Sequence, residues 1–496
     1  MEQENATVTE APADPRSIGE KAGRGFGWSL LGNLVMKAGS FVMGLILARL
    51  LSETDFGVYA VALAATSFVM VVKDLGIMMA TIQWRGSLEE MAPTATLLNL
   101  ISATTLYGVF WTIAPLYAAY AGSPEATPVV RLLTAVILVE AVTAVRSAAL
   151  LRRFQQAHNS MAVLAGFAAN AVVAIMLAAE GAGPFSFAWG QVVQAVVTGI
   201  IVLRIARMPF RIGFDRAIAR RLLRFGIPSA AGIGLEAVLL NVGYIIVGNI
   251  LGTQPLGYYL LAFNVSSWVP GLIGTAIRTV SVAGFSRLAE QESGTLSKGV
   301  QRSVPLLYSG VLPLAIIMGL LAHPLVAFLY GPKWDQASGV LRFLAVVMVV
   351  RMLTSFALDI LNGQGATALT VWINVGYGLA LVPAVIVGTH LQGIRGAAAG
   401  QAAASLFVAL PLAVLGLRAA GVRVAPIAPA LLRPSLGGLA SGAAVLGVLS
   451  SLGGAPPFAV LCLGSAAGLI VYVLIVVPVD RLRSLPRMAA RPRPTS

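Results

Sequence analysis

The sequence has little charge and almost no cysteine or histidine. Only 11% of its 496 residues are Asp, Glu, Lys or Arg, whereas soluble domains carry about 25%. One cysteine, Cys462, excludes an internal disulfide, and the three histidines lack metal-site spacing. There is no glycine-rich loop ending in Gly-Lys-Ser or Gly-Lys-Thr to hold nucleotide phosphates. These absences argue against thiol, metal and ATP-driven chemistry, and no cofactor is expected beyond a coupling proton or Na⁺.

Long apolar runs fill the chain instead. Hydrophobic residues make up 57% of it, and apolar segments of about 20 residues, the length that crosses a bilayer, recur with short gaps. The fold class expected is therefore an all-α polytopic membrane protein with about 14 transmembrane helices. The predicted helices are 26–48, 56–79, 93–117, 129–150, 161–179, 185–205, 227–251, 256–277, 304–328, 339–361, 366–388, 394–417, 431–452 and 457–478.

The basic residues orient these helices. With both termini in the cytoplasm, twenty-five lysines and arginines fall on cytoplasmic segments and three, Arg49, Lys333 and Arg395, fall on outer loops. The net charge of +14 is therefore a topology signal and a contact with anionic membrane lipids, and no nucleic-acid binding is expected. We predict a multi-pass protein of the cell inner membrane.

An internal repeat divides the chain. A shift of 200 positions aligns Leu51, Gly57 and Tyr59 with Leu251, Gly257 and Tyr259 without a gap. Six helices separate the copies, so the two lobes are predicted to be parallel, with substrate between them. The predicted domains are a disordered cytoplasmic tail (1–24), an N-terminal six-helix lobe (25–205), a cytoplasmic amphipathic linker (206–226), a C-terminal six-helix lobe (227–417), an appended helix pair (431–478) and a basic cytoplasmic tail (479–496).

The linker has an amphipathic pattern. Phe214, Ile218 and Leu222 share one helical face, and arginines occupy another. This pattern predicts a helix lying in the membrane interface, and a solvated connector is the alternative.

Two segments carry a family resemblance. The first includes Gly27-Trp28, Leu47-Ala48-Arg49-Leu50-Leu51-Ser52, Asp55-Phe56-Gly57-Val58-Tyr59 and Asp74-Leu75-Gly76, and the second includes His323-Pro324-Leu325 and Leu329-Tyr330-Gly331-Pro332-Lys333-Trp334. These residues resemble the polysaccharide transporter family, the Wzx-type flippases of the MATE-like MOP superfamily.

The resemblance implies a function. It implies export of undecaprenyl-pyrophosphate-linked oligosaccharide repeat units for O-antigen, capsule or exopolysaccharide, by alternating access and without enzymatic activity. The implied partners are the lipid-linked oligosaccharide and the polysaccharide polymerase or export machinery.

Charged residues inside the predicted helices are the candidate site. A charge at the bilayer centre costs about 2.5 to 3.5 kcal/mol on insertion scales. Asn33 and Lys37 follow helical spacing on the first helix, and we predict that they share a central substrate cavity with Glu140 and Arg351. An arginine fork suits pyrophosphate oxygens. The alternative is structural pairing, for example of Lys37 with Glu140.

Further ionisable residues have other predicted roles. Glu236 aligns one position from Lys37 in the repeat, and we predict that it couples transport to protons or Na⁺. Asp359, two turns beyond Arg351, is predicted to gate the cytoplasmic side and to take part in the ion coupling. The weaker candidates are Arg278, Asp74 and Arg131, of which the arginines could instead reach the headgroups.

Two other functions compete with a flippase. A MATE-type ion-coupled drug or small-molecule exporter would have the same architecture, but its cavity should attract cations. A sugar polymerase or lipid-linked glycosyltransferase would need a sizeable loop domain, and no outer loop approaches that length.

Overall fold

The computed structural model describes residues 15–74, 77–82, 84, 86–153, 155–206, 208, 211–268, 270, 295–452 and 454–477. Every regular element in these ranges is helical. The helices are α1 (Pro15–Leu50), α2 (Glu53–Asp74), α3 (Ile77–Ile82), α4 (Leu88–Tyr120), α5 (Thr127–Thr134), α6 (Val136–Arg152), α7 (Gln156–Ala179), α8 (Phe185–Ile205), α9 (Arg216–Leu251), α10 (Thr253–Ser266), α11 (Thr295–Leu320), α12 (Ala322–Tyr330), α13 (Asp335–Gly363), α14 (Thr367–Ala404), α15 (Leu410–Ala419), α16 (Ile427–Ser451) and α17 (Pro457–Val476).

Eleven helices in the described ranges are long and apolar enough to cross a membrane, which confirms the polytopic all-α class. One of them, Thr367–Ala419, reverses direction at Gln392 and Gly393, and Gly393 takes a φ of +59°. The two arms of this hairpin pack backbone to backbone, since a Cβ on Gly388 would lie 2.1 Å from the Gly396 carbonyl oxygen. The total of fourteen spans stays a prediction.

Two predicted boundaries differ from the structure. Helix α1 begins at Pro15, so residues 15–24 are helical and do not belong to a disordered tail. The helix of the linker is continuous with the seventh predicted span, because α9 runs unbroken from Arg216 to Leu251. The Asp215 carboxylate starts α9 by accepting hydrogen bonds from the backbone N–H groups of Ala217 (2.7 Å) and Ile218 (3.0 Å). Residues 1–14 and the predicted basic tail, 479–496, lie outside the described residues.

The apolar face of the linker helix packs on protein. Leu222 is fully buried, and Ile218 packs against the same cluster of side chains from α3, α4 and α6, so this face does not lie in the interface as predicted. Arg221 stacks 4.5 Å from the centre of the Trp84 ring, which also fixes the helix to the N-terminal lobe. Phe214, just before α9, is exposed.

Equivalent hydrogen bonds occur in the two halves of the chain. The Gln191 side chain of α8 donates to the Tyr59 hydroxyl of α2 (2.5 Å), and the Tyr259 hydroxyl of α10 donates to the Gln401 side chain of α14 (2.6 Å). Tyr59 and Tyr259 are the residues that the 200-position shift superposes. The matched bonds support the interpretation of two related lobes.

Four glycines bring the lobes into backbone contact, and we call Gly57, Gly122, Gly248 and Gly257 the glycine seam. A Cβ on Gly57 would lie 1.9 Å from the Thr253 carbonyl oxygen, and one on Gly257 would lie 1.8 Å from that of Glu53. The shift of 200 exchanges these two contacts, so the pseudo-two-fold axis passes between the first turns of α2 and α10. A Cβ on Gly122 would likewise lie 2.1 Å from the Gly248 carbonyl oxygen. The seam lies at the end of the bundle that the arginine distribution predicts to face outward.

Candidate functional site

A charged recess opens inside the C-terminal lobe, and we call it the C-lobe recess. It is lined by residues of α9, α13, α14 and the following turn, and it holds about 660 Å³ of empty space, counting its open mouth. Its polar lining includes Glu236, Arg351, Asn374, Tyr377, Gln401 and Ser405. Two predicted site residues therefore share one recess.

Arg351 is the cation of the recess. It is half-buried on α13, and its guanidinium carbon lies 6.0 Å from the centre of the Phe263 ring of α10. That aromatic face stabilises the cation without neutralising it. The guanidinium N–H groups can still donate to an anionic ligand.

Glu236 is the anion of the recess. Its side chain is exposed on α9, so water and small ions can reach the carboxylate. Within the described part of the chain, no ion pair joins Glu236 to Arg351. The recess therefore offers one accessible charge of each sign.

The wall of the recess is built from neutral hydrogen-bonding groups. Gln401 is held by the Tyr259 hydroxyl, and the Tyr377 hydroxyl lies 3.1 Å from the Ser405 hydroxyl. Ser405 begins a π-helical turn, Ser405–Ala409, between α14 and α15. Such turns occur frequently at functional sites.

Glu140 has a different partner from the one proposed for it. Its carboxylate lies 3.1 Å from the Lys73 ammonium, and the Lys73 side chain is 6% exposed. The carboxylate of Glu140 therefore pairs with Lys73 and not with Lys37. Lys73 lies on α2, so this ion pair ties α2 to α6 within the N-terminal lobe.

Lys37 does not lie in the C-lobe recess. It is exposed on α1, one turn from Phe41, whose ring packs 4.2 Å from that of Trp268. Asn33 lies one turn earlier on the same helix, and its side chain is outside the described set. The four residues predicted to share one cavity are thus in at least three surroundings.

The remaining candidates are scattered. Asp359 is half-buried on α13, two turns beyond Arg351. Arg131 donates from Nε to the Trp111 carbonyl (3.1 Å) and stacks on the Trp111 ring, which fixes α5 to α4. Asp74 ends α2, and its side chain is outside the described set, while Arg278 lies outside the described residues altogether.

No metal centre is evident in the described ranges, which contain no group of three or more His, Cys, Asp or Glu side chains placed to hold an ion. Sequence reasoning missed Lys73 as the partner of Glu140, and it missed the neutral lining of the recess. Asn374, Tyr377 and Gln401 are ordinary polar residues in apolar helices, and only their helical spacing could have pointed to a shared face.

The two-lobed bundle of membrane helices is similar to the fold of two kinds of solved transporter. The lipid II flippase MurJ in an inward closed conformation has a TM-score of 0.76 at 13% identity, covering 92% of this chain and 99% of MurJ. An inward-facing multidrug resistance MATE transporter has a TM-score of 0.62 at 16% identity, covering 79% of this chain and 98% of the transporter. The fold is thus common to a flippase and a drug exporter.

The sequence comparison is more specific than the fold. The profile described as "Polysaccharide biosynthesis protein" matches residues 46–339, and the chain belongs to that family. The succinoglycan biosynthesis transport protein ExoT of Rhizobium meliloti (strain 1021) is 26% identical over 479 residues, covering 95% of this chain and 96% of ExoT.

Proposed function

We propose that the protein moves lipid-linked oligosaccharides across the cell inner membrane, as an alternating-access flippase for polysaccharide synthesis. The observation that carries the proposal is the half-buried arginine of the C-lobe recess, Arg351. A cation inside a membrane transporter is costly to insert, and binding to the phosphate groups of a cargo would account for its presence there. Family membership and the transport role in the name of ExoT support the same conclusion.

The recess suits both parts of such a cargo. The Arg351 guanidinium would bind pyrophosphate oxygens in a bidentate manner. The amide and hydroxyl groups of Asn374, Gln401 and Tyr377 would bind sugar hydroxyls, since each can donate or accept. The lipid tail would remain in the bilayer, and the chain itself would carry out no covalent chemistry.

The orientation follows from the basic residues. We propose that both termini are cytoplasmic, so that the glycine seam faces outward. The exposed arginines at the start of α9 would then contact anionic lipid headgroups. A polysaccharide polymerase or export machinery on the outer side would receive the cargo.

The proposed cargo can be tested with purified protein in proteoliposomes. A polyprenyl-pyrophosphate-linked oligosaccharide with a fluorescent sugar should change leaflets faster than in protein-free vesicles, because the recess shields its polar groups from the hydrocarbon. A lipophilic cationic dye should show no protein-dependent movement. Dye movement without saccharide movement would instead establish the drug exporter.

Glu236 is proposed to bind the coupling ion. Its exposed carboxylate can take a proton or Na⁺, and occupancy would change the net charge beside Arg351. We expect Glu236→Gln to remove the acceleration that an imposed proton or Na⁺ gradient gives to the wild type, while basal flipping persists.

The matched control for Glu236→Gln is Glu180→Gln. Glu180 is an exposed carboxylate at the end of α7, far along the chain from the recess. Transport should be measured with each gradient imposed separately. A Glu236→Gln protein that keeps its full response to the gradient would contradict this role.

A further inference from the structure

The turn between α12 and α13 binds the opposite lobe. This turn contains Gly331-Pro332-Lys333-Trp334. The Trp334 indole N–H donates to the Ala48 carbonyl (2.9 Å), and the Lys333 ammonium donates to the Leu51 carbonyl (2.8 Å). Two adjacent side chains of the C-terminal lobe thus bind the carboxyl end of α1.

The acceptors are carbonyls at a helix end, where the last turn has no intrahelical donors. Ser52 N–H would be the local donor for Ala48, but it donates to the Asp55 carboxylate instead (2.9 Å). The carboxyl end of a helix also carries partial negative charge, which favours an ammonium group. The end of α1 is therefore completed by residues from the other lobe.

Trp334 fills the space between the lobes. It is fully buried, with ring centres 4.9 Å from Phe56 of α2 and 5.9 Å from Tyr258 of α10. Lys333 is exposed, so its ammonium group can return to water without a large cost. The contact therefore combines a fully buried indole ring with an exposed ammonium group.

The N-terminal lobe has a related turn with different residues. Gly122 and Gly331 both have positive φ (72° and 90°), and a 3-10 turn that begins with proline follows each of them, Pro124–Ala126 after Ser123 and Pro332–Trp334 directly. Aligning the prolines places Glu125 and Ala126 opposite Lys333 and Trp334. A 3-10 turn that begins with proline therefore forms at this place in the N-terminal lobe without a lysine or a tryptophan.

We propose that Lys333 and Trp334 form a releasable clasp that holds the lobes together at the glycine seam. While the clasp is closed, the transporter is sealed at that end. Parting of the lobes would break both hydrogen bonds and withdraw the indole from between α2 and α10. The clasp is one-sided, because the related turn of the N-terminal lobe has Glu125 and Ala126 where the C-terminal lobe has the two donors.

The clasp can be tested by distances between spin labels. In a Cys462→Ser background, Glu180→Cys and His390→Cys place labels on exposed positions of the two lobes at the seam end. Lys333→Met and Trp334→Phe each remove one donor and keep much of the side-chain volume. The double variant should raise the ratio of longer to shorter distances between the lobes by about tenfold, because one of the two hydrogen bonds that it loses has a charged donor. Lys333→Met alone should shift the ratio in the same direction.

Two controls make the result decisive. Arg49→Met removes an equal charge from the same end of α1, and its side chain forms no hydrogen bond or ion pair with any described residue, so it should leave the distances unchanged. Labels at Glu125→Cys and Glu180→Cys, both in the N-terminal lobe, should also report no change. Wild-type distances between the lobes in the clasp variants would overturn the proposal. A broader distribution of distances between the two labels of the N-terminal lobe would also overturn it. The measurement needs no cargo, so it stands apart from the transport assay.

Discussion

Replacing Arg351 with glutamine is expected to slow flipping of a pyrophosphate-linked cargo by about ten- to a hundredfold, the value of a charge-assisted hydrogen bond. Glutamine keeps a hydrogen-bonding group in the C-lobe recess but removes the positive charge. The flipping rate of Arg351→Lys should lie between those of the wild type and Arg351→Gln, because lysine has the positive charge but lacks the planar fork of donors. The measurement is the initial rate of leaflet exchange in proteoliposomes.

Arg342→Gln is the matched control for this prediction. Arg342 lies on the same helix, α13, and is exposed outside the recess. It should transport at the wild-type rate. If Arg351→Gln does so too, the arginine serves the packing of α13 against Phe263 and does not bind the cargo.

Gly57→Ala is expected to reduce transport by more than about tenfold by keeping the glycine seam open. The added methyl would lie 1.9 Å from the Thr253 carbonyl oxygen, and backbone cannot move aside as a flexible side chain can. Each lobe can still fold, because the clash is between the lobes. The pseudo-two-fold relation predicts the same effect for Gly257→Ala, whose methyl would lie 1.8 Å from the Glu53 carbonyl oxygen.

Gly44→Ala is the control for the seam. It makes the same substitution within a helix, but a Cβ there meets no atom within 4 Å. Because alanine favours helix by about 1 kcal/mol over glycine, this variant should be as stable as the wild type or more so. Wild-type transport by Gly57→Ala would show that the seam need not close during the cycle.

The membrane class and the helix order could be predicted from the sequence because lipid imposes a length and a composition on every span. The 200-position repeat also aligned Gly57 with Gly257, although the contacts that these two glycines make between the lobes were visible only in the structure. Helix ends were less predictable. The start of α9 is an example, since the linker pattern did not indicate that the helix continues into the membrane.

The candidate site was harder to predict. Helical spacing shows which face of its own helix a residue occupies, but it does not show which other helix packs against that face. Glu140 was expected to meet substrate or Lys37, and it meets Lys73. Glu236 and Arg351 were assigned separate roles, and the structure brings them into one recess. Their neighbours Tyr377 and Gln401 are uncharged. The cost of placing a charge in the membrane, which singled out Glu236 and Arg351, therefore did not point to them.

The clasp binds main-chain oxygens, and this has a consequence for how its residues can vary. Ala48 and Leu51 contribute carbonyl groups that any amino acid would supply equally well. A substitution at either position would therefore leave both hydrogen bonds in place, and no compensating substitution of Lys333 or Trp334 would be selected. Correlated variation among relatives should miss this contact, although it joins positions 282 and 286 residues apart in the chain.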